Sequence, residues 1–506
     1  MASFYFSGIV AAAAGALFVV YLLTQSVYNI YFHPLRNYPG PLLSAASKFP
    51  YIFSRIRGTI PGYVAQLHSQ YGPVVRLAPN ELSYITAEAW RDIYGHKLNN
   101  RGGLAKDLTF YSQDSVGENG IIRTNDSDHA RQRRLLAHAF SDRALRDQEP
   151  LIRRYVDLLS KKIGEVAKTP AATLDMVFWL NCTTFDIMGD LAFGEPLGLL
   201  EKSSYTPWVS AVFSTIKFNN IRNIIDLHFP LFGAIMKKIF VTKDMEERHK
   251  LHAQNSIERV DRRLARQTDR PDIWGFVLRH QHGADPKANA GLSRPEMLAN
   301  SSTLMVAGTE TTATLLSGLL YHLCRNPRVC TKLTSEIRGA FTHPDQMNMP
   351  TLASLPYLCA CIEEALRVYP PVPIGLPRVV PPGGRTICGK HVPGGTIVML
   401  SHWAAYHSPK NFYEPEQFIP ERWLDNDDER FARDEKAVLQ PFSYGPRNCL
   451  GKNLAYHEMR LIAANILWRF DFDLQEESKD WANQKVYTLW EKPKLMCKVM
   501  PREVEV

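Results

Sequence analysis

No Asp, Glu, Lys or Arg occurs before Arg36. Within that stretch Phe4 to Leu23, FYFSGIVAAAAGALFVVYLL, is a near-continuous apolar run of about 20 residues, enough to cross the hydrocarbon core of a bilayer. Lipid offers no partner to a backbone amide, so such a run can cross only as a helix. A cleaved signal peptide would start with a basic residue and end on a small-residue site. Here the start is uncharged and TQSVYNIYFHP follows, which points to a retained membrane anchor over residues 1–30. Arg36, Lys48, Arg55 and Arg57 come after the run and nothing basic precedes it. The positive-inside rule then leaves the rest of the chain in the cytosol as a single-pass protein. The sequons at Asn125, Asn181 and Asn300 would carry no glycan there.

The next segment, HPLRNYPGP, has prolines at 34, 39 and 41. Proline forbids helix and stiffens the chain, so residues 31–45 read as a short rigid neck. From 46 to 506 there is no linker, low-complexity tract or repeat. RALRDQEPLIRRYVDLLSKKIGEVA is one of many amphipathic helical patterns, and PVVRLAPNELSYIT and GGRTICGKHVPGGTIVML read as short extended pieces. The expected fold is mainly α with a minor β part, in a single domain. Lys and Arg total 59 against 51 Asp and Glu. This mild basic excess needs no nucleic acid and suits a membrane surface or an acidic protein partner.

Ser293-Arg-Pro-Glu296 is a capping box with proline in the first turn. The apolar pattern after it runs to Asn326-Pro327, so this helix spans roughly 50 Å at about 1.5 Å per residue. Its middle, Ala307-Gly308-Thr309-Glu310-Thr311-Thr312, is poor in helix formers. One reading is a bent buried helix with local polar pairing. The other is a distortion beside a cofactor, with Glu310 and Thr311 as a proton relay. Glu364 and Arg367 share one helix face in LPYLCACIEEALRVYPPVP. They read as a solvated pair, or as a buried one with Arg422 as third member.

The loop PFSYGPRNCLGKNLA holds Cys449, one of eight cysteines. Gly445 and Gly451 allow a tight turn and close backbone approach. A helix follows, and its amides and dipole favour a thiolate. Ala455 excludes a Cys-x5-Arg phosphatase loop, and no companion cysteines or histidines have zinc spacing. A lone thiolate suits haem, where the porphyrin supplies four nitrogens, and Arg447 would then reach a propionate.

Phe442-x-x-Gly445-x-Arg447-x-Cys449-x-Gly451 resembles the haem signature of the cytochrome P-450 family at every fixed position. Ala307-Gly308-x-Glu310-Thr311-Thr312 resembles the family's oxygen-activating helix, Glu364-x-x-Arg367 its ion-pair helix, and Pro420-Glu-Arg-Trp423 the segment supplying the third member of that network. His129-x-x-x-Arg133 and Arg378 look like propionate contacts. The resemblance runs from the neck to YTLWEKPKLMCKV. It implies a haem-thiolate monooxygenase of cytochrome P-450 fold holding heme b (iron protoporphyrin IX). Cys449 would be the axial iron ligand, Arg447, Arg133, His129, Arg378, Phe442 and Gly451 would contact the cofactor, and Glu310 and Thr311 would move protons. Electrons would come from NADPH through the flavins of a separate NADPH–cytochrome P-450 reductase, with cytochrome b5 as a further candidate donor. Arg131, Arg134 and Lys452 read as a docking face for that partner, or as a solvated cluster. The implied location is the endoplasmic reticulum membrane.

The family's substrate stretches fall on residues 104–122, the helix near Thr303 and Ala307, 372–376 and 487–490. Phe110, Tyr111, Val116, Ile122, Leu304, Val372, Ile374 and Leu489 make that lining apolar, implying a lipophilic substrate. The texture is similar to microsomal members from filamentous fungi that oxidise terpenoids, polyketides or alkaloids in secondary metabolism. Two other outcomes stand beside this: a haem-thiolate isomerase or dehydratase that needs no O2, and a non-catalytic, membrane-anchored haem-binding protein.

Overall fold

A computed structural model describes residues 2–97, 103–111, 120–169, 172–229, 233–266, 268, 270–281, 291–425 and 428–502. Helices dominate and the strands form small sheets, as the sequence predicts. The first helix runs unbroken over Ala2–Tyr31. Ser26 bonds back to the Leu22 carbonyl at 2.7 Å, so the polar residues after Leu23 do not end it. Among the described residues, Ala12–Tyr31 is apolar and long enough to cross a membrane. Leu17, Phe18, Val19, Val20, Leu22 and Leu23 are all exposed on it, as side chains bound for lipid would be.

Residues 32–41 contain no helix, and they are not free-standing. Leu35 is fully buried. Arg76 donates to the Asn29 carbonyl at 2.9 Å, and the Asn29 amide donates to the Ala46 carbonyl at 3.0 Å. The end of this apolar helix is thereby fixed to the edge of the largest sheet.

That sheet orders its strands Val74–Ala78, Glu81–Tyr84, Ile397–Leu400, Arg378–Val379 and Ala105–Lys106. All its pairings are antiparallel except the one between Glu81–Tyr84 and Ile397–Leu400. Its register sets Lys106 directly across from Arg378.

The long helix, Arg294–Arg325, starts at the Ser293 capping box. It packs along helix Met176–Phe193, which is buried almost all round, as a helix without a polar face must be. In its middle Thr309 bonds the Met305 carbonyl at 2.7 Å and Thr311 bonds the Ala307 carbonyl at 2.6 Å. These back-bonds keep both hydroxyls satisfied, that of Thr309 inside the core and that of Thr311 at its edge.

Helix Pro356–Val368 carries Glu364 and Arg367, and both are fully buried, as is Arg422. The solvated reading of the pair is thus replaced by a closed network with a fourth member, Asp434, which receives an Arg422 nitrogen. Arg367 also donates to the carbonyls of Tyr406, Pro415 and Gln417, and Arg422 to that of Tyr413. The two guanidinium groups hold the irregular chain that leads to the cysteine loop.

Candidate functional site

The cysteine loop turns through Gly445–Arg447 and leads into helix Lys452–Arg469. Gly445 has φ of 73°, and a Cβ there would lie 2.1 Å from the Tyr94 carbonyl oxygen. Only glycine fits both demands. Gly451 differs from the expectation: its φ is −86°, and a Cβ would meet nothing closer than Phe140 at 3.7 Å. The Cys449 amide closes the turn on the Phe442 carbonyl at 2.8 Å. Phe442 itself lies against Tyr456. Cys449 is exposed, unlike the buried Cys182, Cys361 and Cys497. Although the residue is exposed on its open side, desolvation by the protein packed around the sulfur raises its thiol pKa, against the lowering effect of the Gly451 amide, Arg133 and Lys452. The helix terminus alone therefore does not make a thiolate; a cation bound to the sulfur would. Among the described residues no group of three or more His, Cys, Asp or Glu could hold a metal ion. A single sulfur is the donor set of a haem, not of a zinc site.

Beside the loop stands an excess of buried positive charge. Lys106, Arg378 and Arg447 act on one another, His129 feels Arg447, Arg133 and Lys106, and Asp126 is the carboxylate that faces them. Like charges directly opposite in a sheet are destabilising, as with Lys106 and Arg378. Burial, Arg378 and Arg447 bring the Lys106 pKa down to about 6, and burial with the neighbouring cations brings His129 to about 4. Arg447 spends Nη2 and Nε on Thr124 and Asp126. Among the described residues its Nη1, and Nε of Arg378, are buried without a partner. Unpaired buried donors on like-charged groups call for an anion. The two propionates of heme b fit that need, so this donor set fits the group. Arg133 takes a different part: it grips Asn448 through the carbonyl at 2.7 Å and through Oδ1 at 2.6 Å, fixing the residue before the cysteine.

On the long helix, Ala307 is exposed although most of the residues around it are buried or half-buried, so this face is open to a ligand. Thr311 lies one turn on. Glu310 is buried and does not bond Thr311. Its Oε2 takes a hydrogen bond from Lys492 at 2.7 Å, and its Oε1 has no partner among the described residues.

Residues 41–499 match the family model described as Cytochrome P-450. The chain belongs to the cytochrome P-450 family. Similar proteins include the cytochrome P-450 monooxygenase efuB of Hormonema carpetanum, 46% identical over 96% of this chain and 96% of the relative. The cytochrome P-450 monooxygenase FUM2 of Gibberella moniliformis is 45% identical over 93% of this chain and 99% of its own length. The averantin hydroxylase of Dothistroma septosporum is 44% identical over 98% and 92%. These matches make this cytochrome P-450 an oxidoreductase of monooxygenase type, with haem implied by the family.

In this P-450 the candidate docking cations divide. Arg134 and Lys452 are exposed, but Arg131 turns inward to Glu296 and the Gly291 carbonyl. It ties the helix Asp126–Ala137 to the start of the long helix, so it is removed from the docking face. Of the expected lining, Phe110 and Ile374 meet in a cleft of only about 20 Å³, Leu489 lines a separate chamber of about 520 Å³, and Val116 lies outside the described residues. Sequence reasoning missed Lys106, Asp434 and Lys492. The sequence placed Lys106 within the substrate stretch 104–122 but gave it no role of its own; only the sheet register brings it to Arg378. Asn181 and Asn300 are buried, which bars glycan attachment at those sequons in the folded chain whatever the topology.

Proposed function

We propose that this cytochrome P-450 inserts oxygen from O2 into a lipophilic small molecule of fungal secondary metabolism, such as a terpenoid, polyketide or alkaloid. Electrons come from NADPH through a separate flavin reductase, with the catalytic domain on the cytosolic face of the endoplasmic reticulum. The observation that carries the reading is the lone sulfur of Cys449 beside a buried cation cluster short of anions. Bound heme b supplies oxygen activation, which a thiolate ligand promotes.

The chain's own residues do the rest. Cys449 holds the iron, and Arg133 holds the Asn448 backbone so that the sulfur cannot swing away. Arg447, Arg378 and Lys106 would neutralise the propionates, and His129, neutral there, would offer them a ring N–H. Lys106 is recharged by them, so cofactor binding takes up a proton. The Ala307 methyl and the Thr311 side chain line the open face of the long helix. Thr311 Oγ1 donates to the Ala307 carbonyl; when it rotates, that proton faces the open side. Glu310 keeps one oxygen free to accept a proton behind it. The names of the relatives support an oxygen-inserting role over isomerisation or mere haem carriage.

The test is incubation of membranes holding the chain with reductase, NADPH and candidate fungal metabolites under ¹⁸O2. Product heavier by one labelled oxygen is expected. Turnover without O2 or NADPH, or a reduced carbon-monoxide complex lacking the thiolate Soret band, refutes the proposal.

A further inference from the structure

The chamber of about 520 Å³ lies between helices Met176–Phe193 and Pro207–His228, the hairpin Lys485–Glu491 and the long helix. Its outer wall carries the ion pair Lys217–Glu491 at 2.8 Å, with side chains 38% and 47% exposed. Its floor carries Lys492 and Glu310 at 2.7 Å, each 3% exposed. Lys492 also donates to Thr314 Oγ1 at 2.8 Å. Residues 310 and 314 are one helical turn apart and share a face, while 307 and 311 share the adjacent one. The acid and the alcohol of the relay therefore stand on two faces of one helix. Glu310 faces the chamber, and Thr311 sits on the face that leaves Ala307 open.

We propose that Lys492 is a positioning residue for proton delivery, and that the chamber it floors is the path by which water-borne protons reach Glu310. This rests on the relay reading of Glu310 and Thr311 given above. A buried carboxylate needs a counter-charge and full hydrogen bonding. Lys492 supplies the charge and binds only Oε2, so Oε1, nine-tenths buried and without a partner, is left as the accepting atom. A proton from hydronium or a buffer acid in bulk hops along the chamber waters to Oε1, each water taking one proton as it gives one, so no hydroxide is left. Glu310 and Thr311 share no hydrogen bond, so a water carries the proton from the carboxyl to Thr311 Oγ, the hydroxyl gives its own proton to the oxygen being reduced on the open face, and the carboxylate is restored. The other titratable groups around Glu310 are Tyr205 and Tyr369, with Asp175 and Lys494 in the chamber wall. Burial keeps both tyrosines neutral through the physiological range.

The test uses the haem-loaded full chain with reductase and compares Lys492→Met, Lys492→Arg, Glu310→Gln and Thr311→Ala. Three quantities are read without substrate: peroxide released per NADPH, the D2O isotope effect on NADPH oxidation, and the infrared band of a protonated buried carboxyl. The band is assigned to Glu310 by its loss in Glu310→Gln. Lys492→Met should show that band at neutral pH, change peroxide release several-fold and alter the isotope effect; Lys492→Arg should restore all three. Ser214→Phe narrows the chamber wall without touching the ion pair and should raise the isotope effect. It also serves where Lys492→Met does not retain haem. Wild-type values in both Lys492→Met and Ser214→Phe, with Thr311→Ala still altered, overturn the role of Lys492 and the chamber. If Thr311→Ala is itself unaltered, the relay reading fails instead.

Discussion

Removing the Glu364 carboxylate should unfix the cysteine loop. Glu364 accepts hydrogen bonds from Arg367 at 2.9 and 2.8 Å, Arg422 at 3.1 Å, the Trp423 indole at 2.8 Å and the Ile419 amide at 2.8 Å. With Asp434 it balances the two buried guanidinium groups. In Glu364→Ala one positive charge is left uncompensated in the core, which costs about 3–5 kcal/mol. The indole and amide lose their acceptor as well, adding to the upper end of that range. Against a total stability of about 5–15 kcal/mol, most of the margin is gone, so little haem-loaded protein should accumulate. The assay is the yield of the thiolate-type carbon-monoxide complex per milligram, together with the urea midpoint of haem release. Glu364→Gln keeps one acceptor and should lose less. Burial would raise the Glu364 pKa, but Arg367, Arg422 and the Ile419 amide hold it below the ordinary carboxylate range. Its stabilisation is therefore present above the unfolded carboxylate pKa and fades as pH falls through the lower folded value, where wild type and Glu364→Ala should converge. A Glu364→Ala protein loaded like wild type, with a stability within about 0.5 kcal/mol, refutes the reasoning.

Gly445→Ala must move the Tyr94 carbonyl or the loop, so the variant should lose haem, read as a fall in the carbon-monoxide complex at unchanged expression. Glu458 sits buried between helices, its pKa pushed up to about 8 by burial against a single hydrogen bond from Thr312. The native state thus holds a proton that the unfolded chain has released, and stability falls by up to about 1.4 kcal/mol per pH unit between the ordinary carboxylate range and about 8. Glu458→Gln should flatten that slope in thermal melts taken across pH. Burial beside Arg378 and Arg447 holds the Lys106 pKa down to about 6 in the haem-free chain, so Lys106→Met should change the haem-free melting point little near neutral pH while speeding haem loss to apomyoglobin; unchanged haem loss would count against a propionate role. Thr311→Ala should use NADPH without matching product, measured as peroxide per NADPH, and unchanged coupling would remove Thr311 from the proton path.

The sequence alone determined what depends on neighbours along the chain. The anchor helix, the Ser293 cap, the three prolines and the Gly445 turn each follow from residues within a few positions of one another. The lone cysteine before a helix was legible for the same reason, and its family motif with it. The partners of those residues were not. Lys492 reaches Glu310 across 182 residues and Arg378 bonds the Leu104 carbonyl across 274. Periodicity carries no information about such pairs. Sheet register set Lys106 against Arg378, and packing turned Arg131 inward and closed Asp434 onto Arg422. In each case burial decided the charge that a side chain must find, and only the folded chain decides what is buried.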